Sequence, residues 1–187
     1  MTDKDILATS IVRNGWYKKG KFTLSSGRES DYYIDLRPCM LSSSRLHLVT
    51  TCLIQILSHE VQMTRGNLLC GVITSGLFLA GAMLQRLSPA ALETNAVYCR
   101  TEHRTHGIKR NIEGVFYVGQ EVILLDDVAT SGASLFEVKH LLQNEGLKVK
   151  AAVVVVDRQE GAREALAATD VPLFSVLTID DIRRFDL

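Results

Sequence analysis

Two adjacent carboxylates, Asp126 and Asp127, follow directly on an apolar run, Val122 to Leu125. Three positions beyond the second acid comes a string of small and hydroxylated residues, Thr130-Ser131-Gly132-Ala133-Ser134. Apolar residues then return at helical spacing: Leu135, Val138, Leu141 and Leu142. The order reads as a buried strand, an acidic strand end, a tight loop and a helix start. A helix leaves its first backbone N–H groups unpaired, and a loop of small residues lets those donors converge on a phosphate. Gly132 permits close backbone approach, and Thr130, Ser131 and Ser134 add hydroxyl donors. Carboxylates do not bind phosphate; they grip sugar hydroxyls or face developing positive charge. A phosphate loop beside two acids therefore describes a ribose-5-phosphate site. A single Asp or Gly here would be ordinary turn and capping chemistry, but the whole string is more specific. It is not a Walker loop, because no Gly-Lys-Ser/Thr follows, and it lacks GxGxxG.

Three other segments carry candidate groups. Thr74-Ser75 follows the apolar run Leu68 to Val72, Arg100 follows Ala96 to Cys99, and Arg158 follows Val149 to Val156. Lys21 to Arg37 reads as two short extended pieces around a Ser25-Ser26-Gly27 turn, with Tyr32 and Tyr33 beside it, placed to cover a flat polar ligand. His103 and His106 lack the partners of a zinc site, and Lys109 and Arg110 read as solvated loop charges.

Positioning these groups requires alternating strands and helices. A first helix spans about Asp3 to Trp16. A second, with Ser42 to Ser44 as N-caps, buries Leu46, Val49, Leu53, Ile56 and Leu57. A third places Leu77, Ala80, Met83, Leu84 and Leu87 inward and stops before Pro89. Residues 101–114 are polar and read as a long loop of the functional kind. After the apolar run that ends at Val156 come a short helix (162–168), a last strand (173–177) and a terminal turn capped by Asp180-Asp181. The implied fold is α/β: an open, mostly parallel twisted sheet with helices on both faces. Such sheets deliver their strand ends to one edge, where ligands bind, and the four polar segments above meet there.

With 187 residues, the chain suits a single domain, with about residues 1–40 as an N-terminal hood. Its 21 basic and 21 acidic residues balance, which argues against nucleic acid or an anionic membrane as partner. Four scattered cysteines (Cys39, Cys52, Cys70, Cys99) read as reduced thiols of a cytoplasmic protein.

From about Gly20 to Ile182 the chain resembles the orotate phosphoribosyltransferases, a branch of the type I phosphoribosyltransferases. The central string resembles the family's PRPP motif. Lys21 to Gly27 with Tyr32-Tyr33-Ile34-Asp35 resembles its orotate-binding segment. Tyr98-Cys99-Arg100 with Glu102, Arg104 and His106-Gly107 resembles its catalytic loop, and Asp157-Arg158-Gln159-Glu160-Gly161 its orotate-contacting strand end. The resemblance implies transfer of the 5-phosphoribosyl group from PRPP to orotate, giving orotidine 5′-monophosphate and pyrophosphate. It assigns catalysis to Asp126, Asp127, Arg100, Arg104 and His106. PRPP would be held by those residues with Thr74, Ser75, Val128, Ala129, Thr130, Ser131, Gly132, Ala133 and Ser134. Orotate would meet Ser25, Ser26, Gly27, Tyr32, Tyr33, Thr130 and Arg158. Mg²⁺ would be held mainly by PRPP, with Asp127 the candidate protein ligand, and the family is typically a homodimer. Many relatives carry lysine where this chain has Ser25, Ser75, Thr101 and Arg104. Two alternatives therefore stand beside the enzyme: a PRPP- or nucleotide-binding regulatory protein with weakened or lost turnover, and a transferase for another base.

Overall fold

The computed structural model describes residues 1–23, 27–87, 94–99 and 112–186. Helix α1 (Asp3–Arg13) starts at a reciprocal cap: Thr2 Oγ1 accepts from Asp5 N, and Asp5 Oδ2 accepts from Thr2 N. Strands β1 (Tyr17–Thr23) and β2 (Glu29–Ile34) then pair antiparallel as a separate two-stranded sheet, with Tyr17 opposite Ile34 and Thr23 opposite Glu29. A short helix α2 (Arg37–Met40), with Pro38 in its first turn where the missing N–H costs nothing, leads into α3 (Ser43–His59).

The main sheet follows. Its elements are β3 (Leu68–Gly71), α4 (Ser75–Leu87), β4 (Asn95–Cys99), β5 (Ile112–Glu113), β6 (Glu121–Ala129), α5 (Ala133–Asn144), β7 (Lys148–Asp157), α6 (Ala162–Ala167), β8 (Leu173–Thr178) and α7 (Ile179–Arg183). The strand order is β5-β4-β3-β6-β7-β8, and all pairs are parallel except β4 with β5. Side-chain alternation divides the core in two. Leu69, Ile123, Leu125, Val153 and Val155 pack with α1, α3, α4 and α7. Leu68, Cys70, Val122, Leu124, Ala152 and Val154 face α5 and α6 on the other side. Burial on both faces explains the unbroken apolar runs of β6 and β7.

This topology fixes where a ligand goes. From β3 the chain winds to β4, and from β6 it winds the other way to β7, so the direction reverses between neighbouring strands β3 and β6. The helix after β3 (α4) lies on one face and the helix after β6 (α5) on the other. A crevice opens between them at the carboxyl ends. Strand β3 stops at Gly71 opposite Leu125, whereas β6 continues beside β7 to Ala129. Residues Asp126 to Val128 therefore have a strand neighbour on the β7 side and none on the β3 side.

Close contact at the crevice floor is made by glycine. A Cβ on Gly76 would overlap the carbonyl oxygen of Leu125 and come within 3.0 Å of its carbon. A Cβ on Gly71 would lie 2.6 Å from Leu77 Cα. With hydrogen in both places, α4 sits directly on β3 and β6.

Several expectations need correction. The acidic pair does not close β6, because pairing with β7 carries the strand on past it to Ala129. Ile112–Glu113, expected within a loop, forms an edge strand on β4. Ser42 stands at the N-cap of α3, but its side chain makes no capping bond. The terminal turn is capped by Thr178, with Asp181 reciprocating three residues on; Asp180 takes no part in that cap.

Candidate active site

A cavity of about 610 Å³ occupies the crevice, within the range of small-molecule sites. Its floor is the end of β6. Asp127 N donates to Asp126 Oδ1 at 2.9 Å, and Val128 N donates to Asp127 Oδ1 at 2.9 Å. Both acids line the cavity. Burial, and then the charge of neighbouring Asp127, push the Asp126 carboxyl well above the usual carboxylate range. The pair thus places two adjacent oxygen-rich groups at the cavity, suited to hold a diol.

Beside the acids, Thr130 to Ser134 curve into α5. Gly132 stands at its N-cap with φ of 82°, a left-handed conformation that glycine adopts without strain. Glycine has no side-chain oxygen, so nothing within the residue caps the helix. The first backbone bond back into the loop is Phe136 N to Gly132 O. The N–H groups of Ala133, Ser134 and Leu135 precede it, at the positive end of a twelve-residue helix, and all three residues line the cavity. Ala162 lies 3.3 Å from the position of a Cβ on Gly132, so α6 supports this loop from behind.

The opposite wall comes from the hairpin and the start of α2: Thr23, Tyr33, Ile34, Asp35 and Arg37. Asp35 and Arg37 form a two-bonded ion pair, Nε to Oδ1 and Nη2 to Oδ2, both 2.7 Å. That pairing holds the Asp35 carboxyl below its usual range.

Arg158 closes the third side. It lines the cavity yet is only 4% exposed. Its Nε donates to Glu160 Oε1 (2.9 Å) and to the Tyr32 hydroxyl (3.1 Å), and its Nη2 donates to Ser30 Oγ (2.8 Å). The Tyr32 hydroxyl donates in turn to Glu160 Oε1 at 2.9 Å. Burial first, then the bond to Glu160, raise the Tyr32 hydroxyl to about 12, so it stays protonated as that donor.

The structure therefore gathers Ser75, Asp126, Asp127, Val128, Ala129, Thr130, Ser131, Gly132, Ala133, Ser134, Tyr33 and Arg158 around one cavity. Thr74, Gly27 and Tyr32 do not line it. Tyr32 is buried beneath Arg158, at 5% exposure, because successive side chains of β2 point to opposite faces, and only Tyr33 turns to the ligand side. Ser25, Ser26, Arg100, Arg104 and His106 lie outside the described residues. Asp35 and Arg37 also line the cavity, which their residue types alone do not single out. Asp35 stands two residues from Tyr33 just past β2, whereas Arg37 begins α2 and carries no such spacing signal.

Comparison with known proteins agrees with this fold. Residues 46–183 match the phosphoribosyl transferase domain family. The orotate phosphoribosyltransferase of Methanopyrus kandleri is 37% identical over 182 residues, 97% of this chain and 92% of that protein. Among solved structures, orotate phosphoribosyltransferase from Aeropyrum pernix superposes with a TM-score of 0.79 at 33% identity, covering 95% of this chain and 97% of that one. The Mycobacterium tuberculosis enzyme in complex with PRPP gives a TM-score of 0.73 at 26% identity, covering 97% and 99%. The family match over residues 46–183, with identity to these relatives over nearly the whole length, makes this chain a member of the orotate phosphoribosyltransferase family.

Proposed function

We propose that the crevice transfers the 5-phosphoribosyl group from PRPP to orotate, forming orotidine 5′-monophosphate and pyrophosphate for pyrimidine nucleotide synthesis. The single observation that carries this reading is the juxtaposition, in one cavity, of the Asp126-Asp127 pair with the uncapped N-terminus of α5. The 5′-phosphate sits on the N–H groups of 133–135 with the hydroxyls of Thr130, Ser131 and Ser134. Asp126 and Asp127 hold the ribose 2- and 3-hydroxyls. As the C1–pyrophosphate bond breaks, positive charge spreads over the ribose ring, and the fixed acidic pair beneath it faces that charge without reorganising. Orotate N1 then bonds to C1, its proton leaving to solvent or the departing pyrophosphate, while Arg158 meets the orotate carboxylate and Tyr33 covers the base. Ser75 reaches the diphosphate from the start of α4. Arg100, Arg104 and His106 are assigned to the departing pyrophosphate on the family resemblance alone.

Mg²⁺ fits this donor set. Asp127 supplies a hard oxygen donor within the cavity. Bound with PRPP, the ion would neutralise charge on the leaving pyrophosphate.

The hairpin acts as a hood over the base. A homodimer is supported by the exposed apolar side chains Ile73, Leu77 and Phe78 around the start of α4, 39–47% exposed, which a second copy would cover. Four free, buried cysteines support a reducing, cytoplasmic setting, and among the described residues no helix is long and apolar enough to cross a membrane.

The deciding experiment is a steady-state assay of orotate consumption with PRPP and Mg²⁺, run on the natural chain and on Asp127→Asn. Turnover by the natural chain, reduced roughly a hundredfold or more in a folded Asp127→Asn, is the expected outcome. Saturable PRPP binding without product would favour the regulatory alternative, and preference for uracil or a purine in competition would assign a different base.

A further inference from the structure

The pairing of Arg158 bears on how the base is recognised. A guanidinium offers a carboxylate two bidentate edges, Nε with Nη2 and Nη1 with Nη2. Here the first edge is already closed by a single oxygen: Glu160 Oε1 lies 2.9 Å from Nε and 2.8 Å from Nη2. The remaining Nη2 hydrogen points to Ser30 Oγ at 2.8 Å, and that hydroxyl is itself oriented by donating to Tyr32 O at 2.8 Å. Among the described residues, Nη1 has no partner. Below the guanidinium, the Tyr32 ring centre lies 4.2 Å from Cζ, and Arg183 Cζ stands 5.2 Å from the same ring centre. The planar group is thus fixed in its own plane by Glu160 and Ser30 and against tilting by Tyr32. Glu160 is held from its other oxygen, Oε2, by Arg28 of the hairpin at 3.3 Å.

Resting on the proposed function, we propose that Glu160 is the positioning residue of the base subsite: it occupies the Nε–Nη2 edge of Arg158, so that an anionic oxygen on the base is received by Nη1 alone. Glu160 also offsets the charge of Arg158. Recognition then depends on where the anionic oxygen of a planar base falls and not on an unpaired positive charge that would attract any anion. Glu160 touches no substrate and acts only through Arg158.

Steady-state kinetics with orotate and PRPP varied separately test this. Glu160→Ala should raise KM for orotate roughly tenfold, the loss expected when a charged hydrogen-bonding group is misaligned, with KM for PRPP changed less than about twofold. Because Arg158 is buried, that variant puts folding at risk, so two milder ones accompany it. Glu160→Gln keeps an acceptor oxygen at the same place and should recover most of the loss, leaving a rise of about threefold. Tyr32→Phe keeps the ring but removes the hydroxyl that ties Glu160 to Arg158, and should give a similar selective rise of about threefold. Unchanged KM for orotate in the folded Gln and Phe variants, or equal movement of both KM values, overturns the positioning role. Lack of any orotate turnover in the natural chain would instead refute the proposed function, so the two failures are distinguishable.

Discussion

Replacing Gly76 by alanine perturbs the point where α4, β3 and β6 meet, and the structure fixes what should follow. The new methyl would overlap the Leu125 carbonyl oxygen, lie 3.0 Å from its carbon and 3.2 Å from Gly71 C. All three are backbone atoms, so no side chain can rotate away, and α4 must lift off the sheet. Overpacking of this kind costs about 1–3 kcal/mol, and backbone obstruction places Gly76→Ala at the upper end. Helix propensity returns about 1 kcal/mol of that, leaving a net loss of roughly 2 kcal/mol. For a chain of 187 residues this corresponds to a fall in Tm of about 4–8 °C. Gly81 provides the internal control: it belongs to the same helix, is exposed, and a Cβ there would meet nothing within 4 Å. Gly81→Ala should raise Tm by about 2–4 °C through propensity alone. The displaced Leu125 carbonyl accepts from Val72 N and immediately precedes Asp126. Activity of Gly76→Ala should therefore fall as well, while that of Gly81→Ala should not. Thermal melts and kcat/KM on both variants decide the matter. Equal behaviour of the two alanines would refute the close seating of α4 and with it the geometry of the crevice floor.

Two further outcomes are expected. Because the folded Asp126 carboxyl is raised above its unfolded value, ionising it costs stability, and that cost grows as pH climbs from the ordinary carboxylate range toward the raised value. Asp126→Asn should therefore raise Tm near pH 7 relative to the natural chain, with the gain vanishing in acid, while turnover is lost; a lower Tm at neutral pH would contradict the burial of this group. The four cysteines are buried, and burial pushes the Cys39 thiol up to about 12. Native protein should react negligibly with an aromatic disulfide reagent and titrate all four thiols once unfolded; rapid reaction in the native state would contradict the core placement of these strands and helices.

Local patterns in the chain foretold the elements that carry the site. The apolar run before Asp126, the small-residue string through Ser134 and the return of helical spacing at Leu135 specify strand, loop and helix without long-range information. Contacts between distant segments were not legible. Apart from the bonds to nearby Glu160, those that hold Arg158 come from Ser30 and Tyr32, separated from it by 128 and 126 positions, and no spacing rule links them. Tyr32 and Tyr33 read alike as residue types, yet strand alternation sends one under Arg158 and the other to the ligand side. The extension of β6 to Ala129 depends on pairing with β7, because an acidic pair has low intrinsic strand preference. Thr178 does not stand out as a cap by residue type, because the two acids that follow it are the more conspicuous N-terminal residues, although its spacing to Asp181 is that of a capping box.

The most direct test of the ribose-phosphate crevice is a crystal structure with orotidine 5′-monophosphate bound. The 5′-phosphate should rest on the backbone N–H groups of Ala133, Ser134 and Leu135, with the ribose hydroxyls on Asp126 and Asp127 and the base carboxylate at Arg158 Nη1. A nucleotide whose phosphate lies away from the start of α5, or whose ribose does not reach the acidic pair, would contradict it.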